Sequence, residues 1–158
     1  MASDWFLKID GIAGDSADDR HAGEIDVLAW SWGVSQTTAS GRGGGAGKAD
    51  IRALSATTWV GRATPELFLA CVSGRHLSEA VLTGRRAGGK PHEFLVVTLT
   101  DVRVSSVDLQ ASVDTDRATH EFSLSFGQVT LSHRGQRPDG SADEPVTVAW
   151  DIRRNRQP

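Results

Sequence analysis

The sequence predicts a mainly β protein: a bulged two-sheet β-barrel with one short flanking α-helix. Three observations predict it. Apolar residues alternate with polar ones in run after run between Trp5 and Ile152, as half-buried strands do. The phase of that alternation flips inside long runs, as it does where a bulge turns a strand through a corner. A single stretch carries good helix signals. Long strands bent at corners, with little helix, indicate a closed or nearly closed barrel, or two orthogonal sheets.

Residues 5–9 read as a short apolar strand, and the Gly- and Asp-rich residues 10–23 as a loop. Residues 24–36 say most. Ile25 and Val27 share one phase, while Leu28, Trp30, Trp32 and Val34 share the other, so a bulge is expected between Val27 and Leu28. Trp30 and Trp32 fall on one stripe, and that apolar payload needs cover, either in the core or at a lateral interface with a neighbouring subunit. A long polar loop follows and ends in Gly43, Gly44, Gly45, Ala46 and Gly47 before Lys48. Residues 48–59 alternate again, with Ile51, Ala53 and Leu54 expected inward.

The helix is expected over residues 64–74. Thr64 suits the N-cap, Pro65 the first helical position, and Glu66 the positive end of the dipole. Gly74 suits a left-handed C-terminal cap. Leu67, Phe68 and Cys71 are expected to share the buried face. Beyond it the chain is β-rich. Residues 77–83 read as a strand and 84–91 as a turn or loop. Residues 92–109 form a long strand whose apolar residues run odd (Leu95, Val97, Leu99), then even (Val102, Val104), then odd (Val107, Leu109). Residues 119–132 carry Phe122, Leu124 and Phe126 on one side, then flip past Gly127 to Val129 and Leu131, a second bulge candidate. Val146, Val148, Trp150 and Ile152 mark a clean last strand.

At 158 residues the chain is expected to form one domain, spanning residues 1–158, with a sizeable core. A net charge of -3 offers no basic field for nucleic acid. One cysteine excludes an internal disulfide and fits a reducing compartment. The opening residues lack the basic and apolar regions of a cleaved signal, and no apolar run approaches membrane-spanning length.

Chemistry-bearing patterns are weak. The Gly-rich run fails as a phosphate loop, because Arg42 stands where the first Gly belongs and Ala49 follows Lys48. The five His are scattered, so no metal site is expected. Cys71 sits in the apolar part of the helix, where a thiol is usually buried and inert. Asp15, Asp18, Asp19, Glu24 and Asp26 read as solvated loop charge. No catalytic residue and no cofactor is expected.

Several stretches together carry a resemblance. They are Phe6-Leu7-Lys8-Ile9, residues 21–36, the loop 43–48, Thr64-Pro65-Glu66-Leu67 with residues 70–76, and Arg86-Ala87-Gly88-Gly89. They continue in Val104-Ser105-Ser106-Val107, residues 121–129 and residues 149–155. In order and over nearly the whole chain, they resemble the Hcp family (haemolysin co-regulated protein), the tube protein of type VI secretion systems. The resemblance implies a non-enzymatic structural subunit. Its copies would form six-membered rings that stack into a tube driven by a contractile sheath, with a spike at the tip and effectors in the ring lumen. It implies assembly in the cytoplasm and export without a cleaved signal, with neither nucleic acid nor membrane insertion involved. It also assigns the loop ending in Gly43, Gly44, Gly45, Ala46, Gly47 and Lys48 to contact with the adjacent ring. The competing readings are a tube protein of another contractile injector, a lipocalin-type barrel for a small apolar ligand, and a Cys71 hydrolase.

Overall fold

A computed structural model describes residues 2–36, 48–88 and 90–158. The first strand, β1 (Ser3–Ile9), is followed by three short pieces: β2 (Ile25–Asp26), β3 (Ala29–Ser31) and β4 (Val34–Gln36). Next come β5 (Ala49–Ile51), β6 (Leu54–Trp59) and the helix α1 (Ala63–Ser73). The chain ends in β7 (Leu77–Arg86), β8 (His92–Gln110), β9 (Thr119–Ser125), β10 (Gln128–His133) and β11 (Val146–Asp151). Antiparallel ladders join them in the order β2-β1-β7-β8-β9-β6-β3, with β10 against β8 and β11 against β10.

The two ends of that path, β2 and β3, are consecutive in the chain. The Val27 N–H donates to the Trp5 carbonyl at 2.9 Å, and the next N–H, of Leu28, donates to the Thr57 carbonyl at 2.8 Å. The chain thus leaves the edge of β1 and joins the edge of β6 within one peptide unit. The wall closes through the covalent chain rather than through a ladder. The phase flip between Val27 and Leu28 is therefore not a bulge within one strand. It is a change of sheet, which reverses the inward face for the same steric reason.

β8 turns the opposite corner. Its first half pairs with β7 and β10, its second half with β9. Asp101, at φ 55, and a register slip between Val104 and Ser106 produce the two phase changes read in residues 92–109. The flip past Gly127 is again a sheet change and not a bulge: β9 lies between β8 and β6, whereas β10 lies between β8 and β11. Residues 48–59 likewise split, with β5 pairing β4 and β6 pairing β3 and β9. In β6 the inward residues are Leu54, Ala56 and Thr58, so the register expected from Ala53 is off by one. β7 runs on through Gly84, Arg85 and Arg86, where a turn or loop was expected. Trp5 lies flat across Gly84, where any Cβ would strike its ring, so the glycine serves packing and not a turn.

The helix begins two residues earlier than its local signals predict. Arg62, not Thr64, occupies the cap position, and it has no side-chain cap. The Asp15 carboxylate, from the distant first loop, accepts the Arg62 N–H at 3.0 Å. An acceptor supplied by tertiary structure replaces the local cap, and Thr64 turns inward. Gly74 caps the C-terminus at φ 67, as its position predicts. The core is filled by side chains from both sheets, with Leu7, Leu54, Leu82, Leu99, Phe122 and Leu124 all at or below 1% exposure.

Candidate assembly surfaces

Residues directly opposite in an antiparallel ladder share a face. Three rows cross the β1-β7-β8-β10-β11 sheet on its core side. The first is Ile9, Ala80, Leu99, Val129 and Trp150; the second is Leu7, Leu82, Val97, Leu131 and Val148. The third is Trp5, Gly84, Leu95, His133 and Val146. Leu7, Leu82 and Val97 are fully buried, but Val148 in their row is 55% exposed. In the third row Val146 is 70% exposed. The core face thus continues onto β10 and β11, while its cover does not.

What partly faces it is the β4–β5 hairpin, with Trp32 at its base. Trp32 packs edge-on against Phe126 at 6.0 Å and donates its indole N–H to the Arg52 carbonyl at 2.8 Å. Between Trp32, Val34 and Ile51 on one side and Leu131, Val148 and Trp150 on the other lies an apolar groove of about 370 Å³. Trp30 goes elsewhere: it meets Trp5 edge-on at 5.1 Å, and Trp5 in turn meets Phe94 at 5.5 Å. Both Trp30 and Trp32 are partly buried against the core. They share a stripe in the sequence but separate into two aromatic clusters, because the chain changes partners between them. Of the Gly-rich run, Lys48 is exposed, and Gly43, Gly44, Gly45, Ala46 and Gly47 lie outside the described residues.

A second apolar surface is the outer face of α1. Leu67 and Ala70 are buried against the barrel, and Cys71 is partly buried beside them. Phe68, expected on the buried face, is 56% exposed, with Leu69 and Val72 also bare. The helix thus carries apolar residues on both sides. Its run Leu-Phe-Leu-Ala-Cys-Val already signalled this in the sequence, since a helix apolar all round needs cover all round. Val146 and Val148 gave no such signal, because an alternating strand looks the same with or without a covering layer.

In the first loop Asp15, Asp19 and Asp26 are exposed as expected, while Asp18 and Glu24 are partly buried in contacts that fasten the loop. Buried His21 places its ring nitrogens 2.9 Å from Glu24 and 2.8 Å from Glu93, and stacks on Phe6 at 4.3 Å. Arg85 lies over the Phe6 ring, 4.9 Å from its centroid, and pairs with Asp18 at 2.6 Å and Asp4 at 3.1 Å. The Arg85 hydrogen bond holds the Asp18 carboxyl down at about 2. Asp26 shifts the other way: burial raises it, and the nearby Asp18 charge adds to the rise. Among the described residues no group of three or more His, Cys, Asp or Glu is placed to hold a metal ion.

With this geometry in view, the similarity to known proteins is direct. Residues 6–133 match the family described as "Type VI secretion system effector, Hcp". The chain is 47% identical to protein hcp1 of Pseudomonas aeruginosa, over 99% of each sequence. The chain belongs to the Hcp family. Among solved structures, Hcp1 of Salmonella typhimurium superposes with a TM-score of 0.81 at 34% identity, covering 100% of both chains. A type VI secretion system effector from Yersinia pestis gives 0.79 at 31% identity, over 94% of this chain and 100% of that one. A further type six secretion system protein reaches 0.93 at 27% identity, over 99% of this chain and 100% of that one. The mainly β, tail-tube-like architecture with one helix is thus that of Hcp, a structural secretion family. No described helix is long and apolar enough to cross a membrane.

Proposed function

We propose that this Hcp protein is a ring-forming subunit whose rings stack into the inner tube of a type VI secretion system. The observation that carries the reading is the run of core-face rows onto the bare β10–β11 flank. Apolar residues in register with a core, yet left uncovered, mark an interface between chains. The convex outer face of α1 is an unlike surface, also uncovered. Contacts between unlike surfaces are heterologous and generate rings when the rotation closes. Six subunits and an effector-carrying lumen follow from the Hcp family as the sequence resembles it. So do sheath and spike partners, and export with the tube in place of a cleaved signal.

Stacking is assigned to residues 43–48, whose glycines let backbone lie close against a neighbouring ring. A lipocalin-type role fits less well, because the barrel interior is filled by its own side chains. Sedimentation and negative-stain electron microscopy of the purified protein test the reading together. Rings are expected, and tubes at high concentration. Monomer alone at micromolar concentration overturns ring formation. Deleting residues 43–48 is expected to leave rings and abolish tubes; tubes from the deletion variant overturn the stacking role.

A further inference from the structure

The inner face of β6 and β9 is apolar except for one row. Thr58 of β6 and His120 of β9 stand opposite each other in the ladder, each 1% exposed, among core residues. The His120 Nε2 lies 2.6 Å from the Thr58 hydroxyl and 3.3 Å from the hydroxyl of Thr64, in the first turn of α1. That Thr64 oxygen also accepts the Gly61 N–H at 3.0 Å, at the turn that leads into the helix. One imidazole nitrogen thus ties two strands to the start of the helix. The other nitrogen, Nδ1, is buried and finds no hydrogen-bond partner among the described residues.

We propose that His120 is an acid-sensitive latch, which holds the first turn of α1 to the barrel while the ring is neutral and releases it when the ring is protonated. A neutral imidazole needs one donor and one acceptor, and the Nε2 side meets one of those needs through either hydroxyl. An imidazolium has two N–H groups, one of them directed into unpartnered apolar surroundings. Its charge also lies at the positive end of the α1 dipole.

The groups packed on the ring supply no counter-charge. They are Thr58 from β6, Thr64 from α1 and Phe122 of its own strand at 5.5 Å, with Leu109 of β8 opposite in the ladder. The nearby charges are Asp15, Asp26 and Arg117, which line a small cavity together with Thr58 and Gly61. The Asp15 carboxylate accepts the Arg62 N–H, and Arg117 lies over the Trp59 ring at 4.3 Å. At Asp26 desolvation raises the carboxyl, which disfavours its charged form. Burial likewise pulls His120 below its ordinary 6.5. A histidine lowered in the folded state leaves stability intact above 6.5 and takes it away as pH falls below, where the released form binds the proton first.

The consequence for assembly rests on the ring reading above, because α1 carries one of the two bare apolar faces. The test uses the whole protein in neutral buffer and in acid below 6.5. Hydrogen exchange at the imidazole carbon, read by mass spectrometry, follows each histidine in rings of any size. His120 is expected to titrate only below its ordinary 6.5. Amide protection in the first turn of α1 is expected to fall roughly tenfold in acid while the β1–β7 ladder holds. In His120→Gln, which keeps an amide donor toward the hydroxyls but cannot charge, that fall is expected to vanish. Titration of His120 at or above 6.5 overturns the proposal, as does an unchanged acid response in His120→Gln. If that variant does not fold, the wild-type titration and amide exchange decide alone. Sedimentation of the same samples separates the two readings. Rings that dissociate as α1 is released support the link to assembly. Monomer at every pH overturns the ring reading and leaves the latch to the exchange data.

Discussion

Strand β8 loses a neighbour on each side as it turns its corner, and the two departures end differently. On one side β7 parts from it at the Leu77–Val102 pair. There α1 packs against β8, burying Leu67 and Ala70 completely and taking the Arg103 guanidinium on the Gly74 carbonyl at 2.6 Å. On the other side β10 and β11 carry the core rows away from β9, and among the described residues Trp32 and the β4–β5 pair face them. The rows are alike in chemistry. One departure is completed within the chain, the other ends in a bare apolar groove. The difference separates what stabilises a subunit from what remains for a neighbour to cover.

Breaking the completed side costs the most. Leu67→Ala removes a fully buried side chain between α1 and the barrel. A loss of about 2–5 kcal/mol in urea unfolding is expected. Gly84→Val comes next, since its side chain must displace the Trp5 ring that lies across it. Overpacking of that kind is expected to cost about 1–3 kcal/mol, read as a lowered thermal midpoint.

The unfinished side behaves in the opposite sense. Val148→Asp is expected to change unfolding of the isolated chain by less than about 0.5 kcal/mol, because the side chain is already mostly exposed. Yet it should shift sedimentation from ring to monomer. A large stability loss with rings intact would reverse the comparison.

The smallest effect sharpens it by pH. Asp18 is held at about 2 by Arg85, below its ordinary 3.8. A lowered carboxyl contributes stability above 3.8 that is lost as pH falls through about 2. Asp18→Asn is therefore expected to lower stability slightly in the neutral region, where the Arg85 pair contributes, and so to flatten the acid limb of a denaturation curve. Circular dichroism across that range checks it.

Much of this fold was legible. The alternations at Leu95, Val97 and Leu99, then Val102 and Val104, described the corner in β8 before any coordinates did. Gly74 was legible because its left-handed conformation is a local requirement. The errors share one cause. The flips at Val27 and Gly127 looked like bulges because period and phase report which face is inward, not which strand is adjacent. Thr64 looked like a cap because the true acceptor, Asp15, comes from a loop far away in sequence. Phe68 was placed inward because spacing locates a face but not the number of layers that cover it.

By itself, then, the sequence determined the β character, the corners, the one helix and, through the stretch around Trp30 and Trp32, the Hcp family. These are properties of short windows, where periodicity and backbone preference act. Only the tertiary structure decided that Trp30 and Trp32 part company and that His120 stands beneath the helix. It alone showed that Val146 and Val148 continue a core row yet stay mostly exposed. Ladder register brings together residues far apart in the chain, and no local pattern encodes which row is left open.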